Sequence, residues 1–102
     1  MMNSSSNNPL VTIITIVFNN VTTIRNAIQS VAYQDYDNIE HVVIDNCSND
    51  ATLEAINELK DDISLIVSES DEGIYYALNK GIEIANGEIV GFLNSDDVLK
   101  NR

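Results

Sequence analysis

Amide and carboxylate side chains recur at four points in this sequence, each following an apolar run. They are Asn19-Asn20, Asp45-Asn46, Asp71-Glu72 and Asn94-Ser95-Asp96-Asp97. These groups offer oxygen ligands and hydrogen-bonding edges. Carboxylates brought together repel one another unless a cation neutralises them. Oxygen-only ligands favour Mg2+ or Mn2+ over zinc, and Mg2+ is commonly held by one or two carboxylates completed by water and substrate phosphates. The chemistry within reach of these residues is therefore metal-assisted binding of a phosphate or nucleotide.

The order of the elements is what would gather four separate loops. Residues 10–18 form a β-branched apolar run, the pattern of a strand buried on both faces. From Val21 the apolar positions Ile24, Ile28, Val31 and Ala32 take helical spacing. Residues 39–44 read as a second strand. Asp50 can cap a helix with Leu53, Ile56 and Leu59 on its inner face. Residues 63–67 read as a third strand. Gly73 precedes a helix carrying Ile74, Ala77, Leu78, Gly81, Ile82 and Ala85 on one face, ended by Asn86-Gly87. Residues 89–93 read as a fourth strand. The resulting β-α-β-α-β-α-β alternation predicts an α/β fold with a parallel sheet and right-handed crossovers. In such a sheet every strand-to-helix loop lies at the carboxyl edge, where ligands of open α/β folds bind. The helix-to-strand turn at Asp61-Asp62 lies at the other edge and reads as a solvated turn.

Composition narrows the function classes. The chain has 102 residues, 44% apolar, with a formal net charge of −11. That charge argues against nucleic acid and anionic membrane surfaces as partners, while a divalent cation still admits a phosphorylated ligand. The single cysteine, Cys47, allows no intrachain disulfide and suits a reducing cytoplasm. Residues 1–9 read as a disordered leader without a signal-peptide pattern, and 10–102 as one domain. No apolar run is long enough to span a bilayer. The dinucleotide G-x-G-x-x-G, the P-loop, zinc-spaced His or Cys pairs and the G-x-S-x-G elbow are all missing.

Five segments together resemble the family 2 glycosyltransferases. Residues 11–20, VTIITIVFNN, are similar to that family's first strand, V-S-I-I-x-x-x-Y-N. Residues 34–40, QDYDNIE, resemble its Q-x-Y-x-N-x-E turn, and residues 44–52, IDNCSNDAT, its I-D-x-x-S-x-D-x-T. Residues 71–81, DEGIYYALNKG, resemble D-x-G-I-Y-D-A-M-N-K-G, and residues 87–97, GEIVGFLNSDD, resemble G-D-I-I-G-F-L-N-S-D-D.

The resemblance implies the front half of a GT-A fold: a Rossmann-like parallel sheet in the order 3-2-1-4 with helices on both faces. It implies binding of a nucleotide-diphosphate sugar, often UDP-linked, for inverting transfer to an acceptor hydroxyl in polysaccharide biosynthesis. Carried over by position, Asp45 hydrogen-bonds the base and Phe18 packs on it. Asp71 and Gly73 line the nucleotide pocket. Asn94 faces the ribose or a metal-bound water, Ser95 belongs to the nucleotide site, and Asp96 is the ligand of Mn2+ or Mg2+. The implied partners are the nucleotide-sugar donor and a saccharide or lipid-linked acceptor.

The departures from the family pattern are specific. Asn94 is neutral where many members carry Asp, and Tyr76 replaces an Asp. Asn46 and Cys47 stand where glycines are common, and Cys tolerates positive φ poorly. The family's general base lies further along than this sequence reaches. No catalytic residue is assigned here, and the chain alone is expected not to transfer sugar. The alternative is a non-catalytic module that folds and binds UDP weakly. A receiver-type signalling domain would need paired acids after strand one, where this chain has Asn19-Asn20. His41 reads as a structural or surface histidine, and Phe18 as either core packing or a base contact. With strand four at an open edge, a homodimer is expected.

Overall fold

The computed structural model describes residues 8–69 and 74–99. Four strands, β1 (Val11–Val17), β2 (Ile39–Asp45), β3 (Leu65–Ser68) and β4 (Ile89–Phe92), alternate with helices α1 (Val21–Ala32), α2 (Thr52–Glu58) and α3 (Ile74–Ile84). The sheet has the expected order β3-β2-β1-β4, with every pair parallel. β1 and β2 form its axis, paired over seven residues from Val11↔Ile39 to Val17↔Asp45.

Side-chain alternation sends the strands' residues to two cores, as period two requires. On one face Val17 and Val43 pack with Ile24 and Ile28 of α1 and Ala55 and Ile56 of α2. Next to them Ile13 packs with Ala27, Val31 and Leu93. On the other face Ile14, Val42 and Ile44 meet Ala77 of α3. Helices thus cover both faces. Each fully buried Ile contributes roughly 1.5–3 kcal/mol relative to exposure.

Three local expectations are corrected. The third strand starts at Leu65, two residues later than the apolar run, because Ile63 and Ser64 follow a 3-10 turn at Lys60–Asp62. In α2 the buried residues are Thr52, Ala55 and Ile56, while Leu53 and Leu59 are only half-buried. In α3 the covered positions are Ala77, Gly81 and Ile84, and Ile82 is 51% exposed. The 77-81-84 stripe leaves Ile82 about 100° off the sheet, so its apolar character misled the expected face.

Two glycines set close approaches. A Cβ on Gly81 would lie 2.9 Å from Ile14 Cγ2, so its absence lets α3 sit directly on the sheet. A Cβ on Gly87 would lie 2.5 Å from Thr12 Oγ1. That hydroxyl instead accepts from the Gly87 N–H at 2.8 Å and donates to Glu40 Oε1 at 2.7 Å. Glu40 also accepts from the backbone and side chain of Asn86. Burial would raise the Glu40 carboxyl, but the Asn86 and Thr12 hydrogen bonds outweigh it and hold the group below its ordinary value.

The leader reading falls mostly on residues 1–7, outside the described residues. Asn8 and Pro9 are described, and their carbonyls accept from Asn38 Nδ2 at 2.8 Å and from the Tyr36 hydroxyl. Among the described residues no helix is long and apolar enough to cross a membrane.

Of the two readings of His41, structural or surface, the structure shows the first. It is buried, with Nε2 2.9 Å from Thr15 Oγ1, while Nδ1 has no hydrogen-bond partner among the described residues. Burial alone lowers its pKa to about 4. The unfolded chain therefore binds a proton near pH 6.5 that the folded chain refuses, and stability falls as pH drops from about 6.5 towards 4. Glu40 and Asp50, whose folded pKa values are also lowered, lose their contribution only below the carboxylate range. Between pH 6.5 and 5 His41 should therefore cost about 1.5 kcal/mol. Urea denaturation across that window should show this slope, and His41→Gln should flatten it.

Candidate nucleotide and metal site

The site is built from the loops that leave the carboxyl ends of β1, β2 and β4. Asn19 begins the first. Its φ of 48° lies in the left-handed region, which Asn adopts at small cost. Its side chain makes a reciprocal pair with Asn49: Asn19 Nδ2 donates to Asn49 Oδ1 at 2.9 Å, and Asn49 N–H donates to Asn19 Oδ1 at 2.8 Å. The Asn19 N–H donates to Ser48 Oγ at 2.9 Å. Asn20 follows at the N-cap position of α1, with no side-chain capping bond. Its N–H donates to Thr52 Oγ1 at 2.9 Å, and its Nδ2 donates to Ser95 Oγ at 3.0 Å.

Asp45 ends β2 and is fully buried. Its Oδ2 accepts from Ser48 N–H at 3.1 Å and from Ser68 Oγ at 2.9 Å, and its Oδ1 accepts from the Ser48 hydroxyl. An ionised carboxylate offers about four acceptor positions, so these three donors offset most of its desolvation. The turn that carries Ser48 back to Asp45 passes through Cys47 at φ 56°. Cys47 is exposed, and the loop holds it where a glycine would be relaxed. Asp50 does not sit at the formal cap of α2, which is Ala51. Its Oδ1 nonetheless accepts from the Thr52 N–H at 2.8 Å and from the Thr52 hydroxyl, chiefly the latter lowering its pKa.

The loop after β4 turns through a bond from Asp97 N–H to Asn94 O at 3.1 Å. Ser95 is engaged twice, its Oγ by Asn20 and its carbonyl by Thr23 Oγ1 at 2.9 Å. Asp97 Oδ1 accepts from Val98 N–H at 2.9 Å, and no helix follows over the described residues 97–99. Asn94 and Asp96 are exposed, and the Asp96 carboxylate has no protein hydrogen bond among the described residues. Phe18 is 54% exposed, so core packing does not claim it. The structure thus places Phe18, Asp45, Asn94, Ser95 and Asp96 at one edge of the sheet. Asp71 and Gly73, expected in the nucleotide pocket, lie outside the described residues. Sequence reasoning missed Asn20, Thr23 and Ser48 as organisers of this edge, since each acts through a partner in another loop or through a turn.

The donor set fits one kind of metal site. Among the described residues no three His, Cys, Asp or Glu side chains converge as a protein cage. A single unengaged carboxylate on an exposed turn suits an ion that draws its remaining ligands from phosphates and water.

The description "Glycosyl transferase family 2" belongs to the family model that matches residues 12–102. The chain belongs to this glycosyl transferase family. An uncharacterized glycosyltransferase of Haemophilus influenzae is 37% identical over 98 residues, which is 93% of this chain and 39% of the relative. A mannosyltransferase of Pyrobaculum calidifontis, solved with GDP-Man and Mn2+, superimposes with a TM-score of 0.82 at 32% identity. That match covers 89% of this chain and 28% of the mannosyltransferase. TarS of S. aureus, residues 1–349 with UDP-GlcNAc, superimposes with a TM-score of 0.80 at 29% identity over 87% of this chain and 27% of TarS. The chain spans 27–39% of the length of the curated relatives it matches. The sheet described above is accordingly the one found in glycosyl transferases of this family.

The left-handed Cys47 gives a stability test. Glycine holds that conformation without the strain of about 1–2 kcal/mol that a Cβ brings, and it returns about 0.5–1 kcal/mol as unfolded-state entropy. Cys47→Gly should therefore raise stability by about 0.5–1 kcal/mol in urea denaturation. A lowered midpoint would show that the thiol makes contacts that outweigh the strain.

Proposed function

We propose that this chain is the donor-binding part of an inverting glycosyltransferase, holding a nucleotide-diphosphate sugar, UDP-linked, through Mn2+ or Mg2+ at the carboxyl edge of the sheet. The observation that carries the reading is the exposed, unengaged carboxylate of Asp96 on the turn after β4, at the same edge as the exposed ring of Phe18 and the β2 terminus at Asp45. The solved relatives bound to GDP-Man with Mn2+ and to UDP-GlcNAc support the ligand class.

In this reading Phe18 offers a flat apolar surface to the base. Asp45 accepts from the base once the Ser48 hydroxyl turns away. Asn94 presents its amide to the ribose, and Asp71 and Gly73 line the same pocket. Asp96 holds the cation. A cation held there by Asp96 would supply Lewis-acid stabilisation of the departing diphosphate. For the whole protein the acceptor is a saccharide or lipid-linked hydroxyl.

Calorimetric titration tests the assignment. UDP should bind more tightly with Mn2+ than with EDTA. Asp96→Ala should abolish the difference, and Asp45→Asn should weaken binding about equally with and without metal. The two residues meet different parts of the ligand, so their effects should add to within about 0.5 kcal/mol. A Mn2+ effect untouched by Asp96→Ala would refute the metal assignment.

The same sheet supports a proposal about assembly. Leu93 N–H donates to Ile14 O at 3.0 Å and Ile89 N–H to Leu10 O at 3.4 Å, so the odd residues of β4 face β1. By the two-residue period, Val90 and Phe92 turn their backbone groups outward. Their side chains are 37% and 54% exposed, and neither Lys nor Pro guards the strand. Such an edge is a template for pairing, and we assign it to a second copy of this chain. Light scattering over a concentration series should show a dimer, and Val90→Lys should return it to monomer.

A further inference from the structure

Asn at an N-cap ordinarily spends its side chain on the helix's own first-turn N–H groups. Asn20 does not. Its backbone carbonyl receives Ile24 N–H at 3.1 Å, but no side-chain cap forms, and its amide reaches 75 residues along the chain to Ser95 Oγ. One turn into the same helix, Thr23 Oγ1 takes the Ser95 carbonyl at 2.9 Å. Ser95 is thus gripped at both its hydroxyl and its backbone by the start of α1. The Asn20 N–H is in turn received by Thr52 Oγ1, whose hydroxyl is received by Asp50.

We propose that Asn20 is a positioning residue that joins the loop after β2 to the loop after β4, fixing Asp96 relative to the base-binding side of the site. This rests on the reading of Asp96 as the metal ligand. Asp96 has no side-chain bond of its own among the described residues, so its placement is set by its backbone. The backbone there has two fastenings: the Asn94–Asp97 turn, which is local, and Ser95, which is anchored to α1. Only Ser95 bonds the turn itself to another element, while Leu93 N–H to Ile14 O at 3.0 Å and Leu99 N–H to Ser30 Oγ at 2.8 Å fasten the chain on either side of it. Groups that orient a metal ligand typically change affinity by about 10–100-fold when lost.

The test uses Asn20→Ser in the full chain. Serine is as good an N-cap as asparagine, so the helix start is preserved, but its side chain is too short to span to Ser95. Two measurements are made. In the metal-free, ligand-free protein, 15N relaxation of the Ser95, Asp96 and Asp97 amides reports the grip directly. Order parameters near 0.85 in the wild type should fall towards 0.6 in the variant. In calorimetry, the Mn2+-dependent gain in UDP affinity should fall about 10–100-fold, while affinity in EDTA stays within about threefold and the thermal midpoint is retained. A merely structural role would lower both affinities or the midpoint together. An undiminished Mn2+ gain in Asn20→Ser would overturn the proposal. A wild type without any Mn2+ gain would overturn the metal reading instead. The relaxation arm then still decides the grip, and unchanged order parameters would overturn it.

Discussion

The seven-residue parallel ladder between β1 and β2 is the interaction on which the rest of the molecule depends. It sends Ile13 and Val17 to one core and Ile14 to the other, and it brings the loops after Val17 and Asp45 to the same edge. A slip of one residue would exchange the two faces and move every core side chain away from its helix. β3 and β4 add on either side of this pair with only four paired positions each, so they inherit its register.

The carboxyl edge is held less by charge than by amides and hydroxyls. Asn19, Asn20, Ser48, Thr52 and Ser95 form bonds between loops, and Asp45, the one fully buried acid among the described residues, is enclosed by Ser48 and Ser68. Of the two exposed acids in the turn after β4, Asp97 accepts from Val98 N–H, and Asp96 is left unengaged among the described residues. Neutral donors can organise a loop without adding repulsion to a chain that already carries −11.

The alternation of elements and the edge that gathers the polar loops were legible in the sequence, because hydrophobic period and crossover handedness are local or general rules, whereas the sheet order was implied by the resemblance to the family. His41 was readable as a structural or surface residue rather than a ligand, but which of the two was not. Nor was its partner Thr15, since that contact needs the β1–β2 register. The burial of Asp45 was hidden for the same reason: Ser68 meets it only through the β2–β3 pairing. Asn20 was visible as the end of an apolar run and nothing more, because its partner lies 75 residues away. Ile82 misled in the opposite way, as an apolar residue just off the helix stripe.

The strand order also has a temporal side. A chain made from its N-terminus completes the central pair first, then extends the sheet on the β3 side, and adds β4 on the other side last. The turn bearing Asp96 emerges after β1, β2 and β3, and Asn20 waits 75 residues for its partner Ser95. Domains form as units while N-terminal segments wait for their partners. The edge of β1 that receives β4 therefore stands open until residues 89–92 have emerged, and the turn bearing Asp96 is seated only after that.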